Sequence, residues 1–255
     1  MAIVGARRPT PYGEAVAERL AADLAAAEIV IVSGLARGID SAAHRGALAV
    51  GGMTVAVLGT GVDVVYPAEN ASLAAELLAG GGALVSEFAD GTPPRRGHFP
   101  KRNWTMAAIS DLVVVVEATE GSGALITAEA ALAFNKEVMA VPGSVFSPLS
   151  VGTHQLLRDG AGLVQNARDV LAVLGRAQEV LDDPLRPPSR LGLASPGRRD
   201  GLLAHLSETL PVSAADLGRK LGLGFAEALA RLTALELEGS VSRRGDGYIR
   251  RIRVE

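Results

Sequence analysis

Seven short runs, apolar on both faces, recur along the chain: AIVG (2–5), IVIVS (29–33), TVAVLG (54–59), ALVS (83–86), LVVVVE (112–117), EVMAVPG (137–143) and a weaker GLVQN (162–166). Stretches of helical period separate them, over 13–27, 39–50, 70–79, 101–110, 123–134 and 167–174. A strand with no polar face has to be covered on both sides, and alternation with helices supplies that cover. The pattern predicts an α/β fold: an extended Rossmann-like, doubly wound, mostly parallel sheet of about seven strands with right-handed crossovers. Aromatic residues are only 4% of the chain, so its core has to be built from Ala, Val, Leu and Ile. Parallel strands end on one edge, and the loops that follow them converge on a common crevice.

The rhythm breaks at DDPLRPPSRLGLASPGR (182–198), where four prolines among Ser, Gly, Arg and Asp read as a linker. Beyond it, 199–207, 214–221 and 225–238 have helical spacing, and EGSVSRRGDGYIRRIRV gives two strands around Gly245-Asp246-Gly247. Three helices and a hairpin make a small C-terminal winged helix-turn-helix domain. The organisation expected is a domain over 1–175, a linker over 176–198 and a winged domain over 199–255. Such tails bind either DNA or protein, and Glu227, Glu236 and Glu238 on the third helix face phosphates badly. MAIVG opens the chain directly on a buried strand, so an N-terminal domain is expected to be missing ahead of it.

The absence of cysteine excludes disulfides, thiolate metal sites and a cysteine nucleophile. No apolar stretch approaches the roughly 18 residues of a membrane span, and no signal peptide opens the chain, so a cytoplasmic protein without a membrane partner is expected. Net charge is −3, which argues against a generic basic face. Acids outnumber bases up to residue 197 and bases outnumber acids after it. A phosphate site in the large domain has to be a local pocket of a few arginines.

Those arginines sit in the strand-end loops. GARRPTPYG (5–13) follows the first strand and offers Gly5, Arg7 and Arg8 ahead of a helix start at Thr10-Pro11, where free N–H groups suit an anion. SGLARGID (33–40) follows the second, with Arg37 as a phosphate fork between Gly34 and Gly38, and Ser33 closing the strand. EATEGSGALITAEAA follows the fifth, and Gly121-Ser122-Gly123 there can form a backbone nest. The fourth loop, over 87–104, sets Arg95, Arg96, Lys101 and Arg102 around Phe99 and Trp104. Rings that stack on unpaired bases beside cations that track a backbone are what single-stranded nucleic acid requires. Neither G-x-G-x-x-G nor a P-loop is present, so no cofactor is expected. His44, His98, His154 and His205 lack metal spacing. Asp40, Asp63, Glu87 and Glu117 are either catalytic or orient Arg37 and its neighbours, and the second reading is favoured.

VGARRPTPYG, SGLARGIDSAAHRGAL, YPAEN, the Ser86-Glu87 pair, FPKRN, VVEATEGSGALITAEAA, AVPGS and GTHQLLRDGA together resemble the DprA/Smf family of DNA-processing proteins. The resemblance covers nearly all of 1–175, and the tail resembles the family's winged-helix domain. It implies a non-enzymatic protein of natural transformation that binds single-stranded DNA, protects it and loads the RecA recombinase. It also implies DNA contact by Arg37 and its flanking glycines, by Phe99, Lys101, Arg102 and Asn103, and by Ser122, Gly123 and Thr127. Ala6 stands where the family usually has Ser, Trp104 where it has Arg, and His154 where it has Asn. A homodimer is expected through residues 144–175 at the C-terminal sheet edge. The alternative is an enzyme, a nucleotide phosphoribohydrolase of the lysine-decarboxylase-like family, which GSGALITAE (121–129) with KRNWTM (101–106) echoes. The tighter P-G-G-x-G-T-x-x-E pattern of that family is not met.

Overall fold

Each apolar run becomes a strand because alternate side chains find a helix on either side. In the computed structural model, which describes residues 1–176, 203, 205–207, 210–237 and 240–251, the strands are β1 (Ala2–Val4), β2 (Ile31–Ser33), β3 (Thr54–Val57), β4 (Ala83–Val85), β5 (Leu112–Val115), β6 (Glu137–Ala140) and β7 (Gly162–Leu163). They form one seven-stranded sheet in the order β4-β3-β2-β1-β5-β6-β7, with every pair parallel. Ile3, Ile31, Leu112 and Val114 point to one face, onto Leu20, Leu24, Ala42 and Ala43 of α1 (Pro11–Ala26) and α2 (Ile39–Ala49). Ala56 and Leu58 extend that face under α3 (Ala71–Ala79). Val4, Val32, Val113 and Val115 point to the other face, onto Met106, Ala107, Ala124 and Ala128 of α4 (His98–Ala108) and α5 (Gly123–Ala133). The alanines let helices approach the sheet closely, which is how a chain so poor in rings fills its interior.

The sheet grows outward from β1 to β4 and then resumes at β5 on the other side of β1. At that switch the loops after β1 and β5 run to opposite faces and leave a crevice at the carboxyl ends of the strands. Two details differ from the expectation. The helix expected from 101 begins at His98, because Pro100 lies in the first turn, where no N–H is required. A helix that the sequence pattern conceals, α6 (Val151–Arg158), lies between β6 and β7, since Gly152 and β-branched Val151 and Thr153 blur its period. α7 (Ala167–Val173) closes this part of the chain.

The chain divides into two compact units, Met1–Pro184 and Leu185–Glu255. The second unit holds α8 (Ala214–Leu221), α9 (Phe225–Leu237) and the antiparallel pair β8 (Val241–Arg244) and β9 (Gly247–Arg250). Leu206, Leu217, Leu232, Leu235, Val241 and Tyr248 form its core, and Val212 bridges to Tyr248 beside the hairpin. Most of the helix expected over 199–207, and all of the linker but Arg176, lie outside the described residues. Among the described residues no helix is long and apolar enough to cross a membrane, and no cluster of three His, Cys, Asp or Glu could hold a metal ion.

His44 on α2 is fully buried. The Thr54 hydroxyl donates to the Ile31 carbonyl at 2.8 Å, so its oxygen accepts from His44 Nδ1 at 2.6 Å, which leaves Nε2 unprotonated and without a partner. Burial, then the positive charges of Arg102 and Arg45, lower the His44 pKa from 6.5 to about 3. The unfolded chain therefore binds a proton that the native chain refuses, and stability is lost as pH falls from about 6.5 toward 3, on the order of 3–5 kcal/mol from this group. Thermal melts between pH 7 and 4 are expected to show a steeper fall for the native sequence than for a folded His44→Gln variant. Parallel curves would mean that His44 does not carry the dependence.

Candidate functional site

The loop after β1 is anchored by a carboxylate from across the switch. Glu117, buried just past β5, accepts from Thr10 N at 2.8 Å and from Thr10 Oγ1 at 2.5 Å. Thr10 in turn caps α1, accepting from Gly13 N at 3.1 Å. The anion expected at the start of α1 is thus already present as a side chain, favoured there by the helix dipole. Gly5 packs against Ile39, while Arg7 and Arg8 remain exposed.

The turn after β2 is held on all sides. Ser33 is buried and donates to the Ile3 carbonyl at 2.6 Å. Asp40 Oδ2 accepts from Gly34 N at 3.1 Å and from Ala36 N at 3.4 Å. Leu35 takes a left-handed φ of 54° and buries its side chain among Ala56, Leu58, Leu73 and Leu77. Gly38 has φ 75°, and a Cβ there would stand 2.4 Å from the Ala6 carbonyl oxygen, so only glycine fits where the two loops meet. The turn lifts Arg37 into solvent, where its fork meets Glu69: Nε to Oε1 at 2.6 Å and Nη2 to Oε2 at 2.7 Å. The pair raises the Arg37 pKa and lowers that of Glu69, through the hydrogen bond first.

Of the acids expected to orient Arg37 and its neighbours, none pairs with Arg37 itself, and among the described residues Glu87 alone forms an ion pair with a neighbouring cation. Asp40 binds the turn, Asp63 accepts from Gly91 N at 2.8 Å, Glu117 holds Thr10, and Glu87 pairs with Lys101 at 3.1 Å. Glu69 and Tyr66 were not singled out from the sequence, although both stand in YPAEN, downstream of the third strand end. Tyr66 lies 5.7 Å from Phe99, centroid to centroid.

Phe99 is half-buried at the start of α4, with the Arg7 guanidinium 5.6 Å and that of Arg102 6.0 Å from its ring centroid. The loop after β1 and helix α4 thus bring a cation and a ring together at one point. Lys101 is exposed over Phe88, which stacks on His98. Trp104 is not part of this group. It lies on the opposite face of α4, edge-on to Phe134 at the end of α5, so only one of the two rings expected beside the cations is there.

Five of the expected contact residues lie beneath the surface. Ser33, Gly34, Arg102, Asn103 and Thr127 are buried. Arg102 Nη1 donates to the Gly34 carbonyl and, at 2.8 Å, to the Val57 carbonyl. Asn103 Nδ2 donates to the Gly123 carbonyl at 2.8 Å. Burial lowers the Arg102 pKa while Asp40 opposes the fall, and burial raises that of Asp40 while Arg102 opposes the rise. Ser122 caps α5 by accepting from Ala124 N, and Gly123 is exposed beside it. The accessible residues at the strand ends are Arg7, Arg8, Arg37, Lys101, the half-buried Phe99 and the Ser122-Gly123 turn. They offer forks for phosphate oxygens and a ring for a base.

Comparison with known proteins gives the same direction. The family described as DNA recombination-mediator protein A matches residues 1–175, and the DprA winged helix domain matches residues 186–247. Protein Smf of Escherichia coli (strain K12) is 39% identical, over 98% of this chain and 67% of its own length. The chain thus spans about two thirds of such relatives. The structure of DNA processing protein A from Streptococcus pneumoniae matches with a TM-score of 0.63 at 44% identity, over 67% of this chain and 60% of that one. That of DNA processing protein A from Helicobacter pylori, which concerns its single-stranded DNA binding mode, matches with a TM-score of 0.61 at 32% identity, over 69% and 79%.

The contact between the first two loops is testable by stability alone. Gly38→Ala meets both a positive φ and the Ala6 oxygen, whereas Gly51→Ala, at φ 70° with nothing within 4 Å, meets only the first. Strain of this kind costs about 1–3 kcal/mol, so Gly38→Ala should lower Tm by at least about 2 °C and by more than Gly51→Ala does. Equal melts would show that the loops do not meet there.

Proposed function

The chain belongs to the DprA/Smf family of DNA-processing proteins, and from that premise we propose that it binds single-stranded DNA along the strand-end crevice, protects incoming DNA and loads the RecA recombinase on it during natural transformation in the cytoplasm. The observation that carries this reading is the convergence of Arg37, Arg7 and Phe99 at the strand ends, a phosphate fork and a base platform within one crevice. Gly5, Arg7, Arg8, Arg37, Gly38, Phe99, Lys101, Ser122 and Gly123 form the proposed contact surface, with Ser33, Gly34, Arg102, Asn103 and Thr127 beneath it. The winged unit is a second module whose partner is either DNA or protein. The hydrolase reading needs Glu129 at the crevice. Glu129 lies instead beside Leu125, Leu132 and Leu156 on the flank between α5 and α6.

In the free protein Glu69 occupies the fork that a phosphate would take. Binding is then an exchange of one oxyanion for another, and Glu69 sets its cost. Arg37→Ala should weaken binding of a labelled single-stranded oligonucleotide by about 1.5–3 kcal/mol, and flatten the slope of log affinity against log salt by about 0.7. Phe99→Ala should cost about 1–3 kcal/mol and leave the slope unchanged. Glu69→Gln should tighten binding. An Arg37→Ala protein with native affinity and slope would remove the crevice as the DNA site and leave the basic wing around Arg243 and Arg250 as the candidate.

The same reading includes a homodimer through residues 144–175. β7 is an edge strand of two residues, and Val145 and Phe146, in the turn before α6, are 79% and 93% exposed. An open edge beside apolar side chains favours self-association. Light scattering at micromolar concentration should give twice the chain mass, and Phe146→Asp should lower it. A monomeric mass for the native chain would end this part of the reading.

A further inference from the structure

The crevice is made of turns on different strands, and something has to fix the distance between them. Beneath it runs an unbroken line of hydrogen bonds. Arg102 Nη1 donates to the carbonyls of Val57, at the end of β3, and of Gly34, just past β2. Arg102 Nε donates to Asn103 Oδ1 at 3.1 Å, and Asn103 Nδ2 donates to the Gly123 carbonyl in the first turn of α5. Gly34 is gripped from both sides, its N–H by Asp40 and its carbonyl by Arg102, and a Cβ on Gly34 would overlap the guanidinium. Phe99 lies one turn before Arg102 on α4, with its ring over the same guanidinium.

We propose that Arg102 and Asn103 are positioning residues which touch no DNA: they lock the Arg37 turn, the Ser122-Gly123 turn and the Phe99 ring into one rigid platform, and so set the spacing at which successive phosphates and a base are received. The inference rests on the reading of the crevice as a single-strand site. Both side chains are buried, and the donors named are spent on carbonyls and on each other. Arg102 bonds to acceptors on two turns and to Asn103, so its five-donor fork does what a point-charge lysine could not.

The experiment is a salt-dependent titration of a labelled single-stranded oligonucleotide with the full chain, in the native form and as Arg102→Met, Asn103→Leu and Arg37→Ala. Amide hydrogen exchange is followed without DNA. Arg102→Met and Asn103→Leu should each weaken binding by about tenfold or more, the scale of a lost charged or buried hydrogen bond. Their salt slopes should match the native one, while Arg37→Ala flattens its own. Exchange should rise over 34–38 in Arg102→Met and over 121–124 in Asn103→Leu. A slope flattened by about 0.7 in Arg102→Met would make Arg102 a direct phosphate contact and overturn the proposal. Faster exchange with native affinity would also overturn it, by making the role merely structural. If Arg102→Met does not fold, Asn103→Leu decides alone, since it removes no charge. A native chain that binds no oligonucleotide brings down the crevice reading and this inference together. Native binding lost in Arg37→Ala but kept in Asn103→Leu brings down this inference only.

Discussion

Gly34 is held between two buried charged groups, Asp40 on its N–H and Arg102 on its carbonyl, and the strand-end loops depend on that grip. A buried ion is costly unless its partners satisfy it, and removing one partner of a buried pair typically costs about 3–5 kcal/mol because the other is stranded. Here each group has backbone partners as well as its opposite charge nearby. The grip is what lets Leu35 persist at a left-handed φ, a conformation that carries about 1–3 kcal/mol of strain in a non-glycine residue. Leu35 in turn drives its side chain into the core under α3, so the turn is fastened from below while Arg37 stays outside.

The sheet was legible because its strands are apolar on both faces, a pattern that only a doubly covered parallel sheet accommodates. The crevice was legible too, because parallel strands oblige their following loops to meet. The depth of each side chain was harder to read. Arg102 looks like a surface cation in FPKRN, yet Phe99, Arg102, Asn103 and Met106 fall at i, i+3, i+4 and i+7 of a helix and share its inner face. Helical period alone could have placed Arg102 inside and Lys101 and Trp104 outside. What period could not show is that a charged side chain would be accepted there, because its acceptors are carbonyls from strands far away in sequence. The Arg37–Glu69 pair was hidden for the same reason, since its members are separated by a whole helix and strand.

A chain of net negative charge attracts a polyanion only where a few cations are concentrated, and two of those here are already engaged. Arg37 faces Glu69 and Lys101 faces Glu87. Both pairs are exposed, where such contacts contribute little to stability. Their cost of rupture is correspondingly small, which is what the proposed exchange of partners requires. Arg7 is placed over a ring rather than against a carboxylate, and so meets an incoming anion without first losing an acid.

In nucleotide-binding relatives of this architecture the diphosphate descends to the start of the first helix. Glu117 is already seated there, bonded to Thr10, and like charge turns a diphosphate away. What remains is a row of turns carrying Arg7, Arg37 and the Ser122-Gly123 pair, set after different strands and not around one socket. On the single-strand reading proposed above, an extended chain meets them in succession and gathers many weak grips without needing a terminus.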